Sequence, residues 1–420
     1  MKQKIQAFAV SIAKTLPWLR PLLRAVRRVL LRLWYRVFFC VGTRVDPKII
    51  LFESFLGRFY SDNPRAIYEY MRTDARFADY TFVWSARDVA KISAELDGTR
   101  AQVVRFQSRA YYKVCAQAGV WVFNSRALDW LARRRGQQYI QTWHGTPLKT
   151  LGHDVRLDGN AMNSVRETAQ KWDVDTRQYT ALLSYSPFVS EKFTTAFGLE
   201  KLGKTDILWE VGAPRNDRLV RAKADESALW KARLGIEPHK KVILYAPTWR
   251  DDQHDAKLGY TYQNQLDFSL LREALGDEWV VLFRAHYFVA NSFDFAAYGG
   301  FVVDVSGEAD IAQLYPAADM LITDYSSVFF DYALLERPMV FYMYDLAQYK
   351  DEVRGFYFSP DELPGRITQT PDELIDAVRA AARGETVPTA QLEAFRAKFL
   401  PWEDGGAAAR VAARCVAMNN

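Results

Sequence analysis

Residues 138–150 read QYIQTWHGTPLKT, a short β-like run that stops at His144, Gly145 and Pro147. Glycine and proline interrupt regular structure, so the run predicts a strand whose end carries the imidazole. In α/β proteins, ligands and catalytic groups lie at the carboxyl ends of parallel strands. The pattern therefore indicates an α/β fold and makes His144 the first candidate for chemistry.

The residues of this turn suit acid–base chemistry beside a phosphate. Histidine has the unperturbed pKa nearest neutrality, so His144 can accept the proton of a substrate hydroxyl. Gly145 permits a close approach of the backbone, and Lys149 adds a cation that suits phosphate. The alternative is a structural histidine in a βα turn, and the turn alone does not decide between the two.

The length of the chain predicts more than one domain. Its 420 residues exceed what a single hydrophobic core usually supports, and 49% hydrophobic residues is ordinary for a globular protein. We expect an N-terminal segment over residues 1–45, a Rossmann-like domain over 46–205, and a second over 206–420 whose C-terminal helix returns toward the first. The three cysteines have no metal-ligand spacing and cannot form an all-disulfide framework, which fits a reducing, cytosolic compartment.

The N-terminal segment has the pattern of a basic amphipathic helix. At about 100° per residue, the apolar residues between Leu19 and Val41 share one face and the arginines lie opposite. Pro21 is tolerated only in a first turn, so residues 1–15 are expected to form a separate, weaker helix. The residues expected at a membrane are Arg20, Arg24, Arg27, Arg28 and Trp34.

This helix is predicted to lie on a membrane surface rather than to cross it. Arginine recurs every three or four positions, whereas a spanning helix needs about 20 apolar residues with few charges. Arginines suit anionic headgroups, and leucines with Trp34 suit the acyl boundary. We therefore expect a peripheral protein on the cytoplasmic face of the cell membrane, bound to an anionic inner leaflet, with no nucleic acid partner. The alternatives are a helix docked on the protein's own core or on a partner.

Downstream of Lys48, short apolar runs alternate with helical patterns. Such alternation predicts parallel sheets covered by helices, here two Rossmann-like halves with a cleft between them. The predicted strands are 49–54, 80–85, 102–106, 120–124, 139–143, 181–184, 207–211, 242–246, 279–283, 301–304, 320–323 and 339–342. The predicted helices include 63–72, 108–118, 188–197, 328–336 and 393–416.

Phosphate-compatible groups recur at strand ends in the second half. The sequence has no G-x-G-x-x-G after its first strand, no Walker motif and no zinc spacing, which argues against dinucleotide oxidoreductases, P-loop enzymes and zinc sites. Residues 323–327 read TDYSS between a predicted strand and a helix, so backbone N–H groups and the hydroxyls of Ser326 and Ser327 suit a diphosphate. An ordinary helix cap is the alternative.

Two further strand ends carry cations. Residues 284–286 read RAH, and alternation turns Arg284 and His286 to the same side, where both can meet one anion. Residues 245–252 read YAPTWRDD and end another strand near Arg250. Because such folds bind nucleotides at this edge of the sheet, the three strand ends together favour a nucleotide diphosphate.

Taken in order, these motifs resemble those of the CDP-glycerol glycerophosphotransferase family of teichoic acid synthesis. The resemblance rests on residues 143–149 (WHGTPLK), 246–250 (APTWR), 284–286 (RAH) and 323–327 (TDYSS). It runs from His144 to Arg410 and includes residues 212–217 (GAPRND) and Asp404-Gly405, whereas the N-terminal third is less distinct. In combination these motifs are specific to the family.

The resemblance implies a GT-B fold with the active site in the cleft. It implies transfer of glycerol phosphate from CDP-glycerol to a hydroxyl of an undecaprenyl-diphosphate-linked saccharide, with release of CMP and no cofactor. His144 resembles the general base, and His286 is the second catalytic candidate because, with Arg284, it resembles the group that holds the donor diphosphate. The residues expected around CDP and its diphosphate are Arg250, Arg284, His286, Thr323, Asp324, Ser326 and Ser327.

The expected mechanism is in-line displacement at the donor's β-phosphorus. His144 removes the proton of the acceptor hydroxyl, while Arg284 and His286 offset the charge on departing CMP. Without an evident magnesium spacing we expect metal-independent transfer, the alternative being a metal on Asp324. The candidates for acceptor or secondary contacts are Lys149, Asp154, Arg215 and Glu308, of which Asp154 either orients an imidazole or lies in a solvated loop.

Within the family we expect a primase, which adds the first glycerol phosphate to a lipid-linked disaccharide, because the segment before Asp46 leaves no room for another catalytic domain. The alternatives inside the family are a polymerase and a relative that uses CDP-ribitol.

A GT-B glycosyltransferase using a nucleotide sugar is a second enzyme class, in which Glu308 would bind a sugar hydroxyl. A noncatalytic membrane-surface scaffold is the third interpretation, and the retained histidines and TDYSS turn argue against it.

Overall fold

The structure is a computed structural model, and it describes only part of the chain. The described residues are 20–156, 165–221, 224–248, 254–255, 259–260, 265–285, 295–308, 310–348, 355–385 and 387–419. Three expectations lie outside them: the weak helix over residues 1–15 and the side-chain positions of Arg250 and His286.

The described chain begins with the N-terminal helix α1 (Arg20–Tyr35), which continues as a π-helical turn over Arg36–Cys40. Tyr35 and Phe39 are buried, and the ring of Trp34 packs edge-on at 5.3 Å from that of Tyr112. This end of the helix is therefore docked on the protein's own core. Trp34, which was expected at the membrane, contacts these aromatic rings and keeps 37% of its surface exposed.

The rest of α1 leaves its apolar side uncovered. Its exposed aliphatic residues, together with Val37 and Phe38 of the π-helical turn, form what we call the apolar stripe: Leu22, Leu23, Val26, Val29, Leu30, Leu33, Val37 and Phe38. Arg24, on the polar side, bonds Glu167 at 3.0 Å. None of the helices in the described ranges has the length and apolarity that a membrane crossing requires.

The first half of the chain forms a seven-stranded sheet. Its strands are β1 (Asp46–Glu53), β2 (Thr81–Ala86), β3 (Gln102–Arg105), β4 (Ala118–Phe123), β5 (Gln138–Gln141), β6 (Ala181–Ser184) and β7 (Leu208–Glu210). They are all parallel and lie in the order β3-β2-β1-β4-β5-β6-β7. All six residues of β4 are buried, as a central parallel strand covered on both faces requires.

Helices connect these strands, and their first residues explain where they begin. The helices are α2 (Asp62–Met71), α3 (Val89–Glu95), α4 (Arg109–Gln117), α5 (Val165–Thr176), α6 (Pro187–Ala196) and α7 (Leu199–Leu202). The Ser108 hydroxyl caps α4, and the Ser186 hydroxyl caps α6, which has Pro187 in its first turn. Ser61 occupies the same position before α2, but its hydroxyl makes no capping bond.

The second half forms a six-stranded sheet and a small hairpin. Its strands are β8 (Lys241–Ala246), β9 (His254–Asp255), β10 (Gly259–Tyr260), β11 (Trp279–Phe283), β12 (Val302–Asp304), β13 (Met320–Thr323), β14 (Met339–Tyr342) and β15 (Arg366–Thr368). The sheet is parallel in the order β12-β11-β8-β13-β14-β15, and β9 pairs with β10 in antiparallel fashion. The expected α/β architecture with two parallel sheets is confirmed.

The second half contains eight described α-helices, and one predicted helix is in fact two. They are α8 (Asp217–Arg221), α9 (Ala224–Arg233), α10 (Phe268–Leu275), α11 (Val328–Tyr332), α12 (Leu346–Gln348), α13 (Pro371–Ala382), α14 (Thr389–Phe399) and α15 (Ala407–Asn419). The single helix expected over 393–416 is wrong. Pro401 cannot continue α14, and Gly405 has φ +81°, so the chain turns before α15 begins.

The C-terminal helix α15 packs against α2 of the first half. Its first turn is capped from elsewhere, since the Asp217 carboxylate accepts hydrogen bonds from the backbone N–H groups of Ala407 (2.9 Å) and Ala408 (2.8 Å). A carboxylate at this position also suits the positive end of the helix dipole. The last helix thus ties the second half of the chain back to the first.

Candidate active site

A cavity of about 240 Å³ lies where the carboxyl ends of strands from both sheets meet. Residues after β1 and β5 form one wall, and residues after β8, β11, β12 and β13 form the other. Five residues singled out in the sequence border it: His144, Arg215, Arg284, Ser326 and Ser327. The topology therefore places groups that are distant in sequence around one space.

The backbone directs His144 into this cavity. Trp143 has φ +52°, a left-handed conformation that is costly for a residue with a Cβ and is found where a fold needs an unusual turn. The two rings stack at 4.5 Å, and His144 Nδ1 lies 2.7 Å from the carbonyl oxygen of Asn124. Because a carbonyl oxygen only accepts, Nδ1 carries the proton, and Nε2 of the neutral ring is left as a proton acceptor.

The cleft keeps this imidazole neutral. Its surface opens onto the cavity, but the surrounding protein replaces much of the bulk water. Desolvation is the main reason that the pKa of His144 falls from 6.5 to about 4; the bond to Asn124 opposes this fall, and the charges of Arg215 and Arg126 add to it. At neutral pH, His144 is therefore in the form that can accept a proton.

Asn124 connects His144 to a buried carboxylate that the sequence analysis missed. Its amide nitrogen donates to Asp62 Oδ2 at 2.6 Å, and its amide oxygen accepts from the backbone N–H of Phe55 at 2.8 Å. Asp62 has φ +62° and Phe55 has φ +48°, so strained backbone gathers around His144. Burial raises the pKa of Asp62 to about 6, an effect that the charge of Arg215 opposes.

A second buried group joins the two walls. Arg215 donates from Nε and Nη2 to the two carboxylate oxygens of Asp331, each at 2.8 Å, while its backbone N–H donates to Asn63 at 3.0 Å. Asn63 in turn donates to the carbonyl oxygen of Trp143 at 3.0 Å. Arg215 thereby couples the turn that carries His144 to α11 in the second half.

The opposite wall presents groups that suit an anion. Arg284 is held by the carbonyl oxygens of Val305 (2.9 Å) and Glu308 (2.7 Å), both bonded to Nη1. Ser327 precedes α11 without making a capping bond. A Cβ on Gly145 would lie 2.9 Å from Ser327 Oγ, so the serine side chain would have to move to admit a larger residue, and the glycine lets the His144 turn lie close to the serine turn.

Other residues predicted for the site are near it but do not border the cavity. The Thr323 hydroxyl is fully buried and donates to the Ala246 carbonyl oxygen at 2.7 Å. Asp324 Oδ1 accepts from the backbone N–H groups of Thr248 (2.8 Å) and Tyr325 (2.6 Å). Both residues therefore fasten the loops after β8 and β13 to each other.

Lys149, Asp154 and Glu308 are also absent from the cavity wall. The Asp154 carboxylate accepts from Thr195 at 2.7 Å and from Tyr357 at 2.6 Å, and the neighbouring His153 bonds Asp173 instead. Among the described residues, Asp154 therefore orients no imidazole. The Glu308 carboxylate pairs with Arg233 at 3.4 Å. Lys149 forms a β-bridge with Phe356.

That β-bridge belongs to a strap, residues 355–358, which the sequence did not reveal. The strap exchanges backbone bonds with residues 148–150, from Thr150 N–H to the Gly355 carbonyl oxygen (3.0 Å) and from Tyr357 N–H to the Leu148 carbonyl oxygen (2.9 Å). Phe356 stacks on Tyr325 at 5.8 Å. The strap therefore links the segment that follows His144 to the loop that precedes Ser326.

The missed residues share one property that the sequence does contain. Asn124 follows β4, and Asp62 begins the helix after β1, so both are polar residues near carboxyl ends of parallel strands. The rule that selected His144 and Arg284 would have selected them too. Their partners could not be read from the sequence, since Asp62 and Asn124 pair across 62 positions.

The sequence and the fold of this chain were compared with those of known proteins. A sequence model of the family described as CDP-glycerol:poly(glycerophosphate) glycerophosphotransferase matches residues 33–417. The chain is 39% identical over 390 residues to the teichoic acid poly(glycerol phosphate) polymerase of Bacillus subtilis (strain 168), covering 92% of this chain and 51% of that protein. It thus spans about half the length of this relative.

Two other proteins are similar along nearly their whole length. The teichoic acid glycerol-phosphate transferase of Staphylococcus aureus (strain NCTC 8325) is 37% identical over 387 residues, which is 90% of this chain and 95% of that protein. A solved histidine-to-asparagine variant of the wall teichoic acid polymerase TagF with CDPG is 33% identical with a TM-score of 0.83, covering 95% of this chain and 97% of that one. The GT-B-like fold expected from the sequence is confirmed.

The environment of His144 predicts an unusual titration. The pKa of His144 should lie below 5, near 4. NMR measures it from the imidazole ring-proton signal of His144, which is assigned as the signal that is missing from the spectrum of His144→Gln. The unfolded chain takes up this proton near pH 6.5 and the folded chain near 4. Protonation therefore favours unfolding, and wild type should lose stability relative to His144→Gln as the pH falls from 6.5 toward 4, whereas the difference between the two should be constant above pH 6.5. A midpoint near 6.5 would contradict this description of the cleft.

Proposed function

We propose, since this chain belongs to the CDP-glycerol:poly(glycerophosphate) glycerophosphotransferase family, that it transfers glycerol phosphate from CDP-glycerol to an acceptor hydroxyl and releases CMP. One observation carries the proposal: a neutral His144 with Nε2 as acceptor shares a cavity with Arg284, Ser326 and Ser327. A proton acceptor opposite an anion-binding wall is what phosphoryl transfer to a hydroxyl needs.

In the reaction, the acceptor oxygen attacks the β-phosphorus, which carries glycerol. The new P–O bond forms as the bond between this phosphorus and the oxygen shared with the α-phosphate breaks. The proton of the hydroxyl passes to His144 Nε2, and the electron pair of the broken bond leaves on CMP. Positive and hydrogen-bonding groups around the leaving phosphate lower the barrier by offsetting the charge that develops there.

We assign the donor phosphates to the wall opposite His144. Arg284, Ser326 and Ser327 border the cavity there. The sequence motifs of His286 and Arg250, which lie outside the described residues, follow β11 and β8 along the chain and support the same assignment. Thr323 and Asp324 act indirectly, by holding the loops that carry these groups.

The acceptor that we propose is a saccharide linked to undecaprenyl diphosphate, and the product is the first glycerol phosphate of a teichoic acid. The relative matched almost end to end, from Staphylococcus aureus, bears the name of a transferase. The polymerase from Bacillus subtilis matches over about half of its length and supports chain extension as the second candidate. The two activities differ in how many units they add.

A lipid-linked acceptor would require the enzyme to work at a membrane surface, and α1 offers the means. Its apolar stripe is exposed, although comparable side chains elsewhere are mostly buried. The arginines beside the stripe suit anionic headgroups, while Tyr35 and Phe39 anchor the helix to the first half. We propose peripheral binding to the anionic inner leaflet, on the cytoplasmic face of the cell membrane.

The proposed base predicts the effect of one substitution. His144→Ala should lower kcat for CMP release by about 100-fold or more, because general-base catalysis usually contributes at least that much. Calorimetry should find CDP-glycerol still bound, since the phosphates contact the other wall. His239→Ala, which changes an exposed histidine away from the cavity, is the matched control and should retain wild-type turnover. If His144→Ala kept more than about a tenth of wild-type kcat, His144 would not be the base.

The membrane proposal predicts that charges placed in the apolar stripe weaken lipid binding. Val29→Glu combined with Leu33→Glu in the full chain should lower binding to liposomes containing phosphatidylglycerol by about tenfold or more, because carboxylates resist entry into the acyl region. Cosedimentation measures this. Leu229→Glu, at a leucine as exposed as these two but on α9, should bind as wild type does. Equal binding by the double variant and wild type would rule out the stripe as the membrane contact.

A further inference from the structure

Several residues that border the cavity carry buried polar atoms without a hydrogen-bond partner among the described residues. These atoms are Ser61 Oγ, Asp62 Oδ1, Arg215 Nη1 and Tyr315 OH. All four residues are more than nine-tenths buried. Leaving such atoms unpaired costs free energy, so native structures seldom do so without a functional reason. Their presence together at one cavity points to a polar ligand.

The geometry of Asp62 and Arg215 indicates what kind of ligand fits. Asp62 Oδ1 and Arg215 Nη1 lie 3.8 Å apart, beyond hydrogen-bond distance. Their other atoms are engaged, since Asn124 donates to Asp62 Oδ2 and Asp331 accepts from Nε and Nη2 of Arg215. The two groups are therefore held close without satisfying each other. A hydroxyl can bridge them, because it accepts from the guanidinium and donates to the carboxylate.

Ser61 supports the same interpretation. It occupies the position that normally caps a helix, and the serines at the same position before α4 and α6, Ser108 and Ser186, do cap those helices. The Ser61 hydroxyl makes no such bond, while its carbonyl oxygen is fixed by the hydroxyl of Ser54 at 2.7 Å. Its hydroxyl thus adds a further unpaired donor and acceptor next to Asp62.

We propose that Ser61, Asp62 and Arg215 form a polyol subsite that binds the hydroxyl groups of a glycerol unit during transfer. The inference rests on the proposed function and names the part of the substrate that these residues hold. The subsite adjoins the base, since Asn124 bonds both His144 and Asp62. Glycerol reaches the cavity either on CDP-glycerol or as the terminal unit of an acceptor that already carries glycerol phosphate.

Paired binding measurements isolate the subsite, because CDP has both phosphates of CDP-glycerol and lacks only its glycerol. Asp62→Asn and Ser61→Ala should each weaken CDP-glycerol binding, Asp62→Asn by about tenfold or more, and change CDP binding by less than about twofold. Ser61→Ala should not lower the melting temperature of the free protein, because it removes an unpaired buried hydroxyl. Thr176→Val, which removes another unpaired buried hydroxyl away from the cavity, is the matched control and should leave both affinities unchanged.

The second arm distinguishes the source of the glycerol. If the ratio of the two affinities is unchanged but Asp62→Asn raises KM for an acceptor ending in glycerol phosphate, and not for one ending in a sugar, the subsite binds the acceptor's glycerol. If neither variant changes the affinity ratio or this KM while wild type releases CMP, the subsite is wrong and the proposed function stands. Wild-type protein that released no CMP from CDP-glycerol would overturn the proposed function and the subsite with it.

Discussion

The arrangement of the cleft depends on Arg215, a buried arginine that is hydrogen-bonded to residues of both walls. Arg215 lies between β7 and α8, its backbone N–H bonds Asn63 of the first half, and its side chain makes a two-bond pair with Asp331 of the second. Removing one partner of such a buried pair leaves an uncompensated charge and typically costs about 3–5 kcal/mol. The pair therefore holds the base and the anion-binding wall at a set separation.

Much of the fold follows from local patterns in the sequence. Twelve of the 15 described strands were predicted to within a few residues, and β6, β11, β13 and β14 to the residue, because buried parallel strands form uninterrupted apolar runs in the sequence. The short strands β9, β10 and β15 were not predicted. The same rule located His144, Arg284, Ser326 and Ser327, since each follows a strand at the edge where two sheets meet. Strand ends are readable because glycine, proline and polar residues interrupt an apolar run there.

The rest depends on contacts that local patterns do not contain. Thr323 was expected at the phosphates, yet its hydroxyl donates to the carbonyl oxygen of Ala246 at the end of β8. This partner follows from the pairing of β13 with β8, which local sequence patterns do not reveal. Asp62 enters the site through a left-handed backbone, which its residue type does not predict. The apolar face of α1 could be predicted from the sequence. The aromatic residues against which Tyr35 and Phe39 pack could not, because they lie more than 70 positions away in the chain.

The central claim is that this cleft moves glycerol phosphate as a unit onto a hydroxyl. It is tested most directly by incubating wild-type protein with CDP-glycerol and a disaccharide-diphosphate-lipid acceptor and identifying both products by mass spectrometry. We expect CMP in an amount equal to the glycerol phosphate added, with one unit on each acceptor. A ladder of units would keep the chemistry and make the enzyme a polymerase. Transfer of the cytidylyl group, with glycerol phosphate released instead of CMP, would contradict the account.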